Sequence, residues 1–222
     1  ITLPTGDIFT AAGAGYTSPT EVWESSTNTW RQLPDLVGPT YLFPRLFVAP
    51  NGYVFDAGPA DETYYFDTSG RGDKIFVADT IAGYRLKGSA LMYDTGKVLA
   101  VGGSTVATGI AFNTAETIDL NSPNPVWKST GSMKYNRKDM TLVLEPNGKV
   151  LAVGGIPGPY SDGQVLPTEE WDPQTGQWTV KASIGTTRGY HSTSLLLPDA
   201  RIINGGAKQS SYQILTPGYL QN

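Results

Sequence analysis

Cysteine is absent from the 222 residues, so neither a disulfide framework nor a thiolate metal site can be built from them. Its absence leaves the redox compartment open. Histidine occurs once, as His191, and charged residues make up only 16% of the chain. The net charge of −4 and the lack of any basic stripe exclude a nucleic-acid surface. No apolar run approaches the length of a membrane span, and no secretory leader is visible. The chain opens at Ile1, without a methionine, inside a strand pattern. That is the mark of a mature, trimmed or partial chain, so the missing leader says little about secretion.

What is present is turn and strand material. The chain has 26 glycines and 16 prolines, above average usage, and is rich in aromatic and β-branched residues. Five segments share one pattern: an apolar strand, a tight turn, a second apolar strand ending in small residues, then a variable loop. They are ITLPTGDIFTAAG from Ile1, RLFVAPNGYVFDAG from Arg45, SALMYDTGKVLAVGG from Ser89, MTLVLEPNGKVLAVGG from Met140 and STSLLLPDARIINGG from Ser192. Their turns fall at Gly6, Gly52, Gly96, Gly148 and Ala200. Glycine provides the positive φ such hairpins need, and Asn51-Gly52 and Asn147-Gly148 are strong hairpin signals. Ala200 breaks the pattern and predicts a different turn there.

A third strand follows in each unit (TEVWES, ETYYFDT, AETIDLN, TEEWDPQ, SYQILTP). Four units add a fourth (TWRQLP, KIFVADT, VWKSTG, QWTVKA), which Trp30, Phe76, Trp127 and Trp178 open alike. These aromatics are expected to pack between neighbouring sheets. A small sheet with two apolar faces must be covered by copies of itself, and radial repetition of such sheets gives a β-propeller. The units run over approximately 1–36, 41–80, 88–133, 138–184 and 188–222, as one propeller domain. The small-residue doublet with the aromatic of strand four resembles the kelch signature across the whole chain, implying four-stranded antiparallel blades. The Trp171-Asp172 dipeptide of WD repeats recurs in no other unit. The first unit lacks the start of its first strand and the last lacks a fourth, so the five blades read as part of a larger, seven-bladed ring.

In a four-stranded meander the 1–2 and 3–4 turns share one end, and the 2–3 and 4–1 connections share the other. The 1–2 turns are short and uniform, as scaffold should be. The 2–3 loops vary widely, including 14–20 with Tyr16 and 156–167 with Tyr160. Variable loops on a rigid frame are where binding chemistry sits. Together with the 4–1 connections, which carry Tyr41, Arg45 and Tyr190-His191, they define the expected working face.

Arg188-Gly189-Tyr190-His191-Ser192 leads into STSLLLPDARIINGG, and the chain ends in LTPGYLQN. This passage, with looser likeness in IFTAAGAGY, GYVFDAGP, SGRGD and TEEWDPQTGQW, resembles galactose oxidase and glyoxal oxidase, the copper-radical oxidases. The resemblance implies a secreted oxidase that converts a primary alcohol or aldehyde with O₂ to the oxidised product and H₂O₂. It implies one copper held by two tyrosines and two histidines. Tyr190 matches the axial tyrosine, which acts as base toward the substrate hydroxyl, and His191 matches one histidine. Neutral imidazole and phenolate both suit Cu(II). By the same resemblance the thioether-linked tyrosine would precede Ile1, its cysteine would lie further upstream, and the second histidine would follow Asn222. These residues alone are therefore expected to be inactive. Gly15 or Tyr16 falls where the family stacks a residue over the metal. Tyr41 lies near the place of a sugar-binding arginine, and Arg45 is displaced from it.

Other readings stand beside this one. A histidine ahead of a kelch first strand commonly turns into the blade and bonds backbone, and the same structural role is open to Tyr190. The chain is then a non-catalytic propeller binding glycan or protein through its loop face, or an assembly protein pairing open blade edges. Arg71-Gly72-Asp73 reads as a chance hairpin turn. Glu169-Glu170 reads as a solvated strand start rather than a catalytic pair. Gly102-Gly103, Gly154-Gly155 and Gly205-Gly206 read as close-packing strand ends, since no helix follows to make a phosphate loop.

Overall fold

A computed structural model describes residues 1–11, 20–36, 43–105, 109–159 and 164–221. Its regular structure is β throughout, apart from one 3-10 turn at Gly218–Leu220. The strands form five antiparallel sheets in strict sequence order, the blades of a kelch-type β-propeller.

Three sheets have four strands: β4–β7 (Leu46–Val48, Val54–Asp56, Glu62–Asp67, Asp73–Asp79), β8–β11 (Ser89–Asp94, Lys97–Val101, Ala115–Asp119, Lys128–Thr130) and β12–β15 (Thr141–Leu144, Val150–Val153, Pro167–Asp172, Gln177–Ser183). Two have three: β1–β3 (Ile8–Thr10, Glu21–Glu24, Thr29–Gln32) and β16–β18 (Ser192–Leu196, Ile202–Gly206, Gln209–Leu215). In the first unit the initial strand is reduced to a Thr2–Ile8 bridge and the Ile1 amine donating to Phe9 O at 2.8 Å. After β18 the described chain turns into the 3-10 segment.

Two compact units are distinguished, one over 1–84, 95–97 and 118–127, the other over 85–94, 98–117 and 128–222. In each, the core lies between successive sheets. Leu3, Phe9, Val22, Leu33, Val54 and Phe66 join the first two sheets within the first unit. In the second unit, Leu99, Val101, Met140, Val150 and Trp171 join the third and fourth, and Val143, Val153, Ile184 and Ile202 the fourth and fifth. The alternation of strand side chains provides two buried faces per sheet, which is why each needs a neighbour.

Three expectations are corrected. Ala200 does not make a different turn. It adopts φ 64°, in the left-handed region with Gly6, Gly52, Gly96 and Gly148, and its N–H donates to Leu197 O as Gly52 N–H does to Ala49 O. The hairpin geometry overrides the alanine preference. The strand-four aromatics are not equivalent. Trp127 is buried and donates through Nε1 to Thr63 Oγ1 at 3.3 Å, and Trp178 packs half-buried on a core cluster. Trp30 and Phe76 are each 54% exposed, because the fourth strand is outermost and is buried only where something covers it. Glu169 is fully buried rather than solvated, for the reason given below.

Candidate functional site

The connections entering the third, fourth and fifth sheets are built alike, each around a buried arginine that the pattern of strands did not single out. Arg85 donates to Gly102 O at 2.8 Å, Thr114 O at 3.1 Å and Glu116 Oε1 at 2.7 Å. Arg137 donates to Gly154 O at 2.8 Å, Pro167 O at 3.1 Å and Glu169 Oε2. Arg188 donates to Gly206 O and Ser211 O, both at 2.8 Å, and to Asn204 Oδ1 at 3.0 Å where the other two have a glutamate. Each arginine thus ties the end of strand two to the start of strand three. Burial lowers the Arg137 pKa, opposed by the Glu169 charge, and a buried guanidinium needs that carboxylate. The sequence signal was available: arginine and glutamate recur 31 and 32 residues apart in consecutive units.

The glycine doublets let these connections lie against the preceding sheet. A Cβ at Gly102 would sit 2.3 Å from Arg137 O, and one at Gly154 would sit 2.3 Å from Arg188 O. Gly103 and Gly155 donate their N–H groups to the same two carbonyls.

Just beyond each arginine, one residue adopts positive φ: Lys87 (55°), Asp139 (55°) and His191 (65°). These three line one open cleft of about 580 Å³ in the second unit, with Lys138, Ile156, Pro159, Gln164, Tyr190 and the Ala207–Gln209 turn. All belong to 4–1 connections or 2–3 loops, so the cleft lies at the end of the sheets where variable loops were expected to place function.

Tyr190 and His191 are both exposed, and their rings stack with centroids 3.8 Å apart at 29°. The imidazole makes no hydrogen bond to backbone among the described residues. Lys87 Nζ lies 4.3 Å from the Tyr190 ring centroid, a cation–π contact, and 3.7 Å from Asp139 Oδ1. Asp139 is nearly buried, its side chain 4% exposed, and Oδ2 has no hydrogen-bond partner among the described residues. Burial raises its pKa against the pull of Lys87, Lys138 and His191. Burial also lowers the pKa of Lys138, whose Nζ donates to Gly109 O at 2.8 Å. Among the described residues no three His, Cys, Asp or Glu side chains converge on one point. Among the described residues lining the cleft, the Tyr190 phenol and the His191 imidazole are donors of the kind copper takes.

The structure brings Tyr190 and His191 of the expected site residues to this cleft. Tyr16, Tyr41 and Tyr160 lie outside the described residues. Arg45 begins the second sheet in the first unit, half-buried, its backbone N–H bonded to Gly58 O. Arg71 forms a surface ion pair with Asp35 at 2.6 Å, which lowers the Asp35 pKa. A further cavity of about 200 Å³, lined by Glu145, Glu170, Lys181 and the segment after β18, lies elsewhere in the second unit. There Glu145 is pushed up to about 7, by burial first and then by the charge of Glu170, whereas Lys181 and Lys149 hold Glu170 low.

No protein-family model matches the chain. Among curated proteins, it is 32% identical to a galactose oxidase of Gibberella zeae over 100% of its own length and 38% of that protein's. It is 28% identical to an aldehyde oxidase of Arabidopsis thaliana over 42% of the chain and 16% of that protein. Among solved structures, a fungal alcohol oxidase of the AA5 family in complex with copper superposes with a TM-score of 0.87 at 30% identity, over 99% of this chain and 52% of that one. The chain thus spans between about a third and a half of the lengths of the relatives it matches throughout.

Proposed function

This chain belongs with the galactose oxidase-like kelch propellers, and on that premise we propose that it forms the propeller portion of a copper-dependent oxidase of primary alcohols or aldehydes. The carrying observation is the exposed Tyr190–His191 pair, facing a cleft of ligand size instead of folding into its sheet. The overall reaction is RCH₂OH + O₂ → RCHO + H₂O₂. Copper, when bound, supplies the one-electron chemistry that couples alcohol oxidation to O₂. His191 would hold the metal through a neutral ring nitrogen. Tyr190 would accept the substrate hydroxyl proton at Oη, its ring held in a cation–π contact with Lys87 Nζ.

Two donors do not complete a copper site, and the reading assigns the others to the rest of the protein. These 222 residues alone are accordingly expected to yield no peroxide. Galactose itself is not assigned, because in the sequence resemblance Arg45 is displaced from the place of the family's sugar-binding arginine. Secretion and work on carbohydrate or small alcohols belong to the same proposal. Among the described residues no helix is long and apolar enough to cross a membrane. A second reading is a non-catalytic propeller that binds glycan or protein at the same cleft, whose exposed Tyr190 suits either partner.

The test compares the native protein with its His191→Ala variant, measuring copper content and copper-dependent peroxide from galactose, glycerol and glyoxal. Loss of both in the variant supports the oxidase. Undiminished copper loading in the variant overturns the metal role of His191.

A further inference from the structure

The charge lining the cleft is opposite in sign to that of the chain. The chain carries −4 overall and has nine lysines, yet Lys87, Lys138 and Lys208 all line this one cavity. They arrive from three separate connections, so their convergence is a product of the fold and not of a sequence run. Among the described residues lining the cleft the one acid is Asp139, which is nearly buried. Lys87 is engaged with Asp139 and the Tyr190 ring, and Lys138 with Gly109 O. Lys208 sits at the tip of the β17–β18 turn, exposed, with φ 60° and no acidic partner among the described residues. Gln164 and Gln209 bring amides to the same wall. A concave site with excess charge of one sign concentrates ligands of the other.

We propose that the cleft selects an alcohol or aldehyde carrying a carboxylate at the end remote from the reacting carbon. The reacting end rests on the oxidase reading of Tyr190 and His191, whereas the carboxylate end rests on Lys208, supported by Lys138. A cleft of about 580 Å³, lined by both groups, accommodates a chain of several carbons. A neutral sugar would leave Lys208 unanswered, and a polyanion would meet the net negative charge of the rest of the chain.

D-Gluconate and D-glucitol make the discriminating pair, since both offer a primary hydroxyl on six carbons and only gluconate carries a carboxylate. Their binding to copper-free native protein is measured by calorimetry at low and at physiological salt, with inorganic phosphate as a third probe. Peroxide formation from each polyol by the copper-loaded protein is measured separately. Gluconate is expected to bind about tenfold or more tightly than glucitol, with the advantage shrinking as salt rises. Lys208→Gln is expected to remove most of that advantage and Lys208→Arg to retain it. Equal binding of the two polyols, phosphate binding as tight as gluconate, or a preference indifferent to Lys208→Gln each overturns the inference. Gluconate selectivity without peroxide from any alcohol would leave the carboxylate site standing and remove the oxidase reading. Peroxide from glucitol with no preference for gluconate would do the reverse.

Discussion

The arginine and the positive-φ residue that follows it in each connection are separated by only a residue or two, yet they live in opposite surroundings. Arg85, Arg137 and Arg188 are buried and bonded to carbonyls and to a carboxylate or amide. Lys87, Asp139 and His191 line a cleft, and Asp139 retains a buried oxygen with no hydrogen-bond partner among the described residues. The first set fixes the backbone, and the second is displayed by it. Placing an invariant anchor next to a variable display position lets chemistry change without disturbing the fold.

Substitution of an anchor should have the largest effect. Glu169→Ala leaves the Arg137 guanidinium without its carboxylate and removes the acceptor for Lys134 N–H. We expect a loss of about 3–5 kcal/mol in chemical denaturation, the usual cost of breaking a buried pair from one side. A loss below about 1 kcal/mol would erase the distinction between anchor and display.

A pH effect follows from Glu145, away from both sets. Its folded-state pKa of about 7 lies above the ordinary glutamate value of 4.5, so the folded state binds the extra proton. Its contribution is therefore full below about pH 4.5 and is lost as pH rises through 7. The melting temperature should fall between pH 5 and 8, and Glu145→Gln should flatten that fall. An unchanged slope in the variant would place the proton elsewhere.

Ala200→Gly should stabilise by roughly 0.5–1 kcal/mol, since the left-handed turn strains alanine and glycine adopts it freely. A destabilised variant would mean that the alanine methyl has a packing role.

The smallest expected stability change is at the display position. His191→Ala should move the unfolding free energy by no more than about 0.5 kcal/mol, because the exposed ring holds no backbone hydrogen bond. A loss as large as that of Glu169→Ala would show that His191 is an anchor after all.

How legible this was in the sequence depends on whether the signal was local. Strand positions and turn glycines are set by neighbouring residues, and most strands were readable to within one or two residues. The Arg–Glu seams were missed because partners 31 or 32 apart produce no local periodicity, and Glu169 beside Glu170 looks like a solvated strand start. Tyr190 and His191 were legible through the passage around them. Lys87, Asp139 and Lys208 were not, because only the fold gathers residues from separate connections. Trp30 and Trp127 differ in burial despite equivalent places in the repeat, since burial is decided by what lies over the outer strand.

The close approach at Gly102 and Gly154 bears on how such a protein could be cut and rejoined. Because the opening segment of one sheet is seated on the doublet of the sheet before it, a blade by itself is not a transplantable part. The exchangeable cassette runs from one first-strand hairpin to the next, carrying a doublet together with the connection that rests on it. Chimeras joined at 95–96 and 147–148 would keep the Gly102 doublet with the connection that rests on it, whereas junctions between sheets would set a foreign backbone against a surface with no room for a methyl group.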